Sequence, residues 1–105
     1  MAQWDVHHNL IARVRDEIPF LVDIQSGLLS GLRSRFVVPL AVQPVQLAGL
    51  PRRLIPTFEI GGRSARLVPH EAGVVDATLL RKPVATLRTE RSRITDAMDA
   101  VISGV

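Results

Sequence analysis

The sequence lacks cysteine and tyrosine, and it contains one lysine and one tryptophan among 105 residues. Without cysteine, the chain forms no disulfide framework and carries no thiol nucleophile, and it fits a reducing compartment. Its longest apolar stretch, from Phe36 to Val42, is interrupted by Pro39 and is far shorter than the roughly 18 residues of a membrane span. The first residues have neither the basic flank nor the apolar core of a signal peptide. We therefore expect a cytoplasmic protein that does not contact a membrane.

The composition is that of one folded domain, residues 1–105. Hydrophobic residues make up 47% of the chain and charged residues 22%, which excludes a disordered chain, and the length argues against two domains. The pI is near 11.0 although the net charge is only +3, because arginine supplies every basic side chain except Lys82 and does not titrate. The arginines are spread along the sequence, a pattern that does not favour a dedicated nucleic-acid binder.

Alternating apolar and polar residues predict short antiparallel strands over most of the chain. The paired glycines Gly61 and Gly62 separate two of these strands and predict a type I′ hairpin turn, since that turn requires positive φ at both central residues. Pro39 is expected to end the third strand. The connecting segments are predicted as loops, and one of them exposes Leu28 and Leu29. The predicted strands are 4–8, 19–25, 36–38, 54–60, 63–68 and 74–80, and the predicted loops are 9–17, 26–34 and 44–51.

The last segment changes to helical periodicity. From Leu87, apolar residues recur at spacings of three and four, which predicts an amphipathic helix from about Leu87 to Ser103. Thr86 or Thr89 is the expected N-cap, and Gly104 is the expected stop. The apolar residues of the last turn are expected to pack within the chain, to pack across a dimer interface or to form a binding tip. The predicted fold is therefore mainly β with a C-terminal α-helix.

Residue patterns typical of catalytic or metal sites are weak. The pairs His7-His8 and His70-Glu71 have no third ligand at useful spacing, and neighbours on a strand point to opposite faces, so we expect no metal and no cofactor. Gly61-Gly62 lacks the remaining residues of a phosphate-binding loop. Arginine-assisted RNA cleavage needs a base, an acid and a phosphate ligand. The residues that could supply these groups are Arg35, Thr57, His70 and Glu71, although nothing in their spacing selects them.

Several sequence blocks carry a resemblance to a known family. Residues 20–26 read Phe-Leu-Val-Asp-Ile-Gln-Ser, and residues 35–40 read Arg-Phe-Val-Val-Pro-Leu. These blocks, at this separation, resemble the CcdB toxins of bacterial toxin–antitoxin pairs. The resemblance covers most of the chain from residue 20 onward, and its further blocks are residues 54–56, 60–61, 84–87, 94–99 and 104–105.

The resemblance implies a fold and a function. The fold is an SH3-like small barrel of antiparallel strands, CcdB/MazF-like, with a C-terminal helix, and the protein is a homodimer. Members of the family are not enzymes: they bind the A subunit of DNA gyrase and trap the complex in which the DNA is cut. A CcdA-like antitoxin neutralises the toxin, and the two together repress their operon, so that DNA is contacted only indirectly through the antitoxin.

The family's gyrase contacts also carry over by resemblance, residue by residue. They comprise part of the loop after the Val-Asp-Ile-Gln-Ser block and the end of the helix, and the implied contact residues are Ser26, Leu28, Leu29, Asp99, Ile102, Ser103, Gly104 and Val105. One departure matters, because the family pattern ends in Trp-Gly-Ile and this chain ends in Ser-Gly-Val, without an aromatic anchor. The alternatives left open are action on topoisomerase IV, a MazF-like ribonuclease toxin that cleaves mRNA, and an inactive antitoxin-binding relative.

Overall fold

The computed structural model describes residues 2–42 and 50–104, so most of the predicted loop at 44–51 lies outside the described residues. The described chain forms seven strands and one α-helix, joined by loops and short 3₁₀ turns. The bounds of these elements are β1 (Asp5–His8), β2 (Phe20–Asp23), β3 (Ser34–Ala41), β4 (Thr57–Ile60), β5 (Arg63–Leu67), β6 (Gly73–Asp76), β7 (Ala85–Thr86) and α1 (Arg91–Ser103).

The strands form one antiparallel sheet that curls into a nearly closed barrel. Their order is β4-β5-β3-β2-β1-β7, and β6 pairs with the first part of β3. β3 is the longest of these strands and has partners on both edges, with β2 on one side and β6 followed by β5 on the other. The helix α1 packs on this sheet after the last strand. The architecture confirms the predicted barrel of antiparallel strands with a C-terminal helix.

The main core lies between the sheet and α1. Val6, Val22 and Val38 stand in register on neighbouring strands, so their side chains point to the same face of the sheet. They pack in one cluster with Ile94 and Ala97 of α1, and all five are fully buried. Burial of an aliphatic side chain of valine or isoleucine size contributes roughly 1.5–3 kcal/mol, so this face supplies much of the driving force for docking the helix.

The strand β2 is buried on both faces, whereas its alternation predicts one exposed face. Leu21 belongs to a second apolar cluster with Val37 and Leu80, and Asp23, on the same face as Leu21, is fully buried. Leu80 lies in the segment after β6, which therefore contributes cover to this face. The expectation was wrong because alternation distinguishes polar from apolar residues, and a polar residue can be buried when its partners are buried with it.

Pro39 lies within β3, so the prediction that it ends the strand is wrong. It pairs with Leu21 of β2, and its carbonyl accepts a hydrogen bond from the amide of Val68 at 2.9 Å. On the edge away from β2, Pro39 falls between the residues paired with β6 and those paired with β5. The missing N–H is therefore placed where the ladder changes partner, and proline is tolerated there.

The helix α1 begins at Arg91, later than the predicted start at Leu87. The 3₁₀ turn Arg88–Glu90 occupies most of the interval. The Oγ1 of Thr86 accepts a hydrogen bond from the amide of Arg88 at 3.3 Å, at the start of this turn, whose N-cap residue is Leu87. Neither Thr86 nor Thr89 is the N-cap of α1, which is Glu90. The predicted stop is confirmed, because Gly104 follows the helix with φ of 74°, in the left-handed region.

The hairpin between β4 and β5 is confirmed. Gly61 and Gly62 both have positive φ, at 57° and 83°, as the predicted type I′ turn requires. The strand before them starts only at Thr57, because the chain first makes the 3₁₀ turn Arg52–Leu54. The alternation at 54–60 therefore predicts the strand correctly but places its start too early.

The end of β6 also differs from the prediction, which extends it to Leu80. The side chain of Asp76 accepts a hydrogen bond from the amide of Thr78 at 2.9 Å, and the chain turns there into the 3₁₀ segment Ala77–Leu79. The strand β7 is not predicted, since two residues are too short to show alternation.

Within the residues that the structure describes, no helix has the length and apolarity needed to cross a membrane.

Candidate functional site

The first candidate surface is the turn after β2, residues 26–29, here called the leucine turn. The Oγ of Ser26 accepts a hydrogen bond from the amide of Leu28 at 3.2 Å and so caps the 3₁₀ turn Gly27–Leu29. Leu28 is 95% exposed and Leu29 is 48% exposed, as the sequence predicts. A leucine this exposed contributes almost nothing to folding through burial, so its apolar surface is available to a partner.

Gln25 holds the leucine turn in position. Its side chain is buried, and it lies directly before the turn, two residues after the end of β2. The Nε2 of Gln25 donates to the carbonyl of Leu29 at 3.0 Å, and its Oε1 accepts from the amide of Phe36 at 2.8 Å. One amide side chain thus connects the end of the turn to β3. Because both polar ends of the side chain are satisfied, Gln25 restrains the position of the turn without an unpaired buried group.

Gln25 is in turn held by a buried ion pair. The Oδ1 of Asp23 accepts from the backbone amide of Gln25 at 2.9 Å. The Oδ2 of Asp23 lies 2.6 Å from Nη2 and 2.8 Å from Nε of Arg35, and both side chains are almost completely buried. Charge-assisted hydrogen bonds of this kind are stronger than neutral ones. The structure thus identifies Arg35 as the partner of Asp23.

The residues considered for RNA cleavage do not meet in one site. Arg35 is 2% exposed and its guanidinium is bound by Asp23, so it is not on the sheet surface. Thr57 is exposed at the start of β4, while His70 and Glu71 are exposed on the separate 3₁₀ turn Pro69–Glu71. The four side chains that would supply phosphate ligand, acid and base are thus divided between the interior and two surface elements.

The second candidate surface is the end of α1, residues 99–104, here called the helix tip. Ile102 is 81% exposed and Val101 is 38% exposed. The amide of Gly104 donates to the carbonyl of Ala100 at 2.9 Å, which closes the last turn and keeps these side chains on ordered backbone. The predicted contact residues Asp99 and Ser103 are also exposed, and the predicted Val105 lies outside the described residues.

A shallow cleft runs beside the helix tip. It has a volume of about 460 Å³ and is lined by Arg53, Asp96, Asp99, Ile102 and Ser103. Among the described residues, those that line this cleft include none of the leucine turn. The predicted contact residues therefore form two patches on different elements of one chain, and they are not gathered in a single pocket.

The histidines occupy different environments. His7 is fully buried, its Nδ1 lies 2.5 Å from the carbonyl oxygen of Arg81, and its Nε2 has no hydrogen-bond partner among the described residues. His8 is exposed and stacks on Phe20 with ring centroids 5.7 Å apart. The two rings thus lie on opposite faces of β1, as strand geometry requires. Within residues 2–42 and 50–104, no three metal-ligating side chains are grouped.

Two features of these surfaces are not predicted from the sequence. Leu32, in the same loop as the leucine turn, is 53% exposed and extends the apolar surface of that loop. Gln25 is predicted only as a strand residue, yet it anchors the turn. The sequence does contain a signal for this role. Asp23 and Gln25 are polar residues at alternate positions, so they share one face of the predicted strand, and Arg35 belongs to the neighbouring strand.

The chain is thus a nearly closed antiparallel barrel with a terminal helix, and it exposes apolar side chains at the leucine turn and at the helix tip. A comparison with protein families matches the model of the CcdB protein over residues 3–104. Since this match spans nearly the whole chain, the protein belongs to the CcdB family, which comprises toxins of toxin–antitoxin pairs. No curated protein sequence is matched by the chain.

Proposed function

We propose that this protein poisons DNA gyrase by binding its A subunit and trapping the complex in which the DNA is cut. The observation that carries the proposal is the exposure of Leu28 and Ile102, at 95% and 81%, which are the most exposed large apolar residues among the family contact positions that the structure describes. Apolar residues that are exposed together are typical of an interaction site; Leu29 and Leu32 are exposed in the same loop as Leu28, and Val101 is exposed next to Ile102. The protein would act by binding alone, without chemistry of its own.

The two patches suit a two-fold symmetric target. A homodimer, which the family resemblance implies, presents two copies of the leucine turn and two copies of the helix tip, related by a dyad. At the tip, the left-handed backbone of Gly104 (φ of 74°) turns the chain sharply after Ile102 and Ser103. Ile102 would then serve as the anchor that a tryptophan provides in the family pattern. A smaller anchor buries less surface, and we expect weaker binding, since truncating a central anchor commonly costs about 2 kcal/mol or more.

The ribonuclease alternative is not favoured by the geometry. A phosphate ligand must reach the substrate, whereas Arg35 is buried and paired with Asp23. Releasing it would break an ion pair whose two partners are both in the interior, a change that typically costs several kcal/mol. The candidates His70 and Glu71 lie on another element. The observations therefore support a binding protein more than a hydrolytic enzyme.

The remaining parts of the proposal concern the cell. We propose that the protein acts in the cytoplasm, where gyrase and DNA are found, and that a CcdA-like antitoxin neutralises it. Operon repression would require both proteins, with DNA contacted through the antitoxin. The support for these statements is the family membership, to which the exposed patches add surfaces that a partner protein can cover.

The proposal is tested by measuring binding of the full chain to purified gyrase A subunit by isothermal titration calorimetry, with topoisomerase IV as a parallel target. Leu28→Ser and Ile102→Ser should each weaken gyrase binding by about tenfold or more, as expected for anchors. Val74→Ser is the matched control, because Val74 is 68% exposed and belongs to neither patch. Equal affinities for all three variants would contradict the assigned surface, and binding to topoisomerase IV alone would contradict the assigned target.

A further inference from the structure

Three leucines are exposed in the loop between β2 and β3, and one of them is not a contact position that the family resemblance implies. Leu28 is 95%, Leu29 is 48% and Leu32 is 53% exposed. We call these three residues the leucine cluster. Leu28 and Leu29 belong to the leucine turn, whereas Leu32 follows it on the way to β3. Leu32 thus keeps more than half of its surface outside the core.

The backbone brings Leu32 next to the leucine turn. The amide of Leu32 donates to the carbonyl of Leu29 at 3.1 Å, which closes a β-turn with Ser30 and Gly31 at its central positions. The Cα atoms at the two ends of a β-turn lie within about 7 Å of each other. Leu29 and Leu32 are therefore neighbours in space, and the leucine cluster is a local apolar surface and not a set of scattered side chains.

The loop that carries the cluster is fastened on both sides. The carbonyl of Leu29 also accepts from Nε2 of Gln25 at 3.0 Å, and Gln25 is a buried side chain that itself contacts β3. After the cluster, the carbonyl of Arg33 accepts from the amide of Ala77 at 2.7 Å. A loop held in this way has already lost conformational entropy, so binding through it costs less free energy than ordering a free loop.

The leucine cluster has no free charge within its own segment. Residues 24–32 contain no acidic or basic side chain. Asp23, which precedes this segment, is buried and paired with Arg35, and Arg33, which follows it, lies near the carboxylate of Asp76. Such a surface suits neither a nucleic acid nor a charged peptide, and it matches an apolar depression on a partner protein.

The leucine cluster is too small to form a complete interface. Each partner in a stable interface buries about 800 Å², which is more than three partly exposed leucines supply. The cluster therefore has to act together with another surface. Leu28 and Leu29 are already assigned to the proposed contact with gyrase, in which the helix tip is the second surface. Leu32 extends that contact directly, since it closes a turn with Leu29.

We propose that Leu32 is a further contact residue, and that the leucine cluster enters one apolar, uncharged depression on the gyrase A subunit. This inference rests on the proposed function. It adds to that function a residue outside the contact positions implied by the family resemblance, and it specifies the chemistry of the partner's surface.

The test measures binding of the full chain to purified gyrase A subunit by isothermal titration calorimetry. The variants are Leu32→Ser, Leu28→Ser and the conservative Leu32→Met. The matched control is Ile11→Ser, because Ile11 has a side chain of similar size, is 40% exposed and lies in the β1–β2 loop, at the opposite end of β2 from the cluster. Circular dichroism verifies folding, and light scattering gives the oligomeric state of each variant.

We expect Leu32→Ser to weaken binding about fivefold or more, since it removes a leucine from the apolar contact. Leu32→Met should bind nearly as well as the unmodified chain, because it keeps a similar apolar volume, and Ile11→Ser should have little effect. The loss caused by Leu32→Ser should be the same at low and at high salt, because no charge takes part.

The possible failures are distinguishable. Full affinity of Leu32→Ser, while Leu28→Ser binds weakly, would overturn this inference and leave the gyrase proposal standing. No binding by the unmodified chain would overturn both. An equal loss in Ile11→Ser would also overturn the assignment of Leu32. A change of oligomeric state in Leu32→Ser that accounts for its loss of affinity would overturn it in favour of a contact between copies of this chain.

Discussion

Asp23 and Arg35 form a buried ion pair, with Oδ2 of Asp23 2.6 Å from Nη2 of Arg35, and the second oxygen of the same carboxylate binds the backbone amide of Gln25. The pair therefore connects β2 and β3 to the base of the leucine turn. In this way a structural feature of the interior determines the position of an exposed surface that we propose to bind a partner.

Removing one partner of this pair should be strongly destabilising. Asp23→Ala or Arg35→Ala leaves an uncompensated buried charge, and we expect the free energy of unfolding to fall by about 3–5 kcal/mol. Urea denaturation followed by circular dichroism measures this change. The double variant Asp23→Leu with Arg35→Met removes both charges and should recover much of the loss. A single variant as stable as the unmodified protein would show that the pair is not buried as described.

Gln25→Ala should loosen the leucine turn more than it unfolds the protein. The substitution removes the hydrogen bonds to Leu29 and Phe36, and we expect a loss of about 1–3 kcal/mol. Amide hydrogen exchange should quicken locally around the turn. Gln3→Ala is the matched control, since Gln3 donates to the carbonyl of Ile24 and does not reach the turn. Similar exchange in the two variants would mean that Gln25 does not anchor the turn.

Asp76 provides a pH-dependent contribution whose sign follows from its contacts. The backbone amide and then the hydroxyl of Thr78 donate to its carboxylate, and Arg33 lies nearby, so the pKa of Asp76 lies below its usual value. A lowered folded-state pKa stabilises the fold above the pKa of the unfolded chain, and that stabilisation is lost as pH falls through the folded-state value. Thr78→Ala should raise the pKa of Asp76 in an NMR pH titration. No change on removing the hydroxyl would contradict this assignment.

The sequence predicts the architecture well where residues repeat a local pattern. The paired glycines at 61–62, the apolar spacing of Ile94 and Ala97, and the stop at Gly104 are all local signals, and all are confirmed. The prediction that a strand ends at Pro39 is wrong, because whether a proline fits within a strand depends on which strands pair with β3 on either side of it. A single sequence does not contain that information in its local periodicity.

The features of the candidate site also differ in whether a local sequence pattern predicts them. The exposure of Leu28 is confirmed, because a turn between strands is exposed in almost any packing. The exposure of Ile102 is not a confirmed prediction, because the sequence left packing and a binding tip both open for the last turn of the helix. The burial of Arg35 beside Asp23 and the contact of Gln25 with Phe36 both depend on how β2 and β3 are aligned. These long-range relationships arise only when the elements pack, so sequence spacing alone does not reveal them.

The most direct test of the central claim is a DNA cleavage assay with purified gyrase, plasmid and ATP, scored as linear DNA released by detergent and protease. The full chain is compared with a version that ends at Ile102 and so lacks residues 103–105. We predict linear DNA with the full chain and none with the shortened version, because the shortened version lacks Ser103, Gly104 and Val105, which belong to the proposed contact and follow the anchor Ile102. No linear DNA with either, or equal amounts with both, would contradict gyrase poisoning through the helix tip.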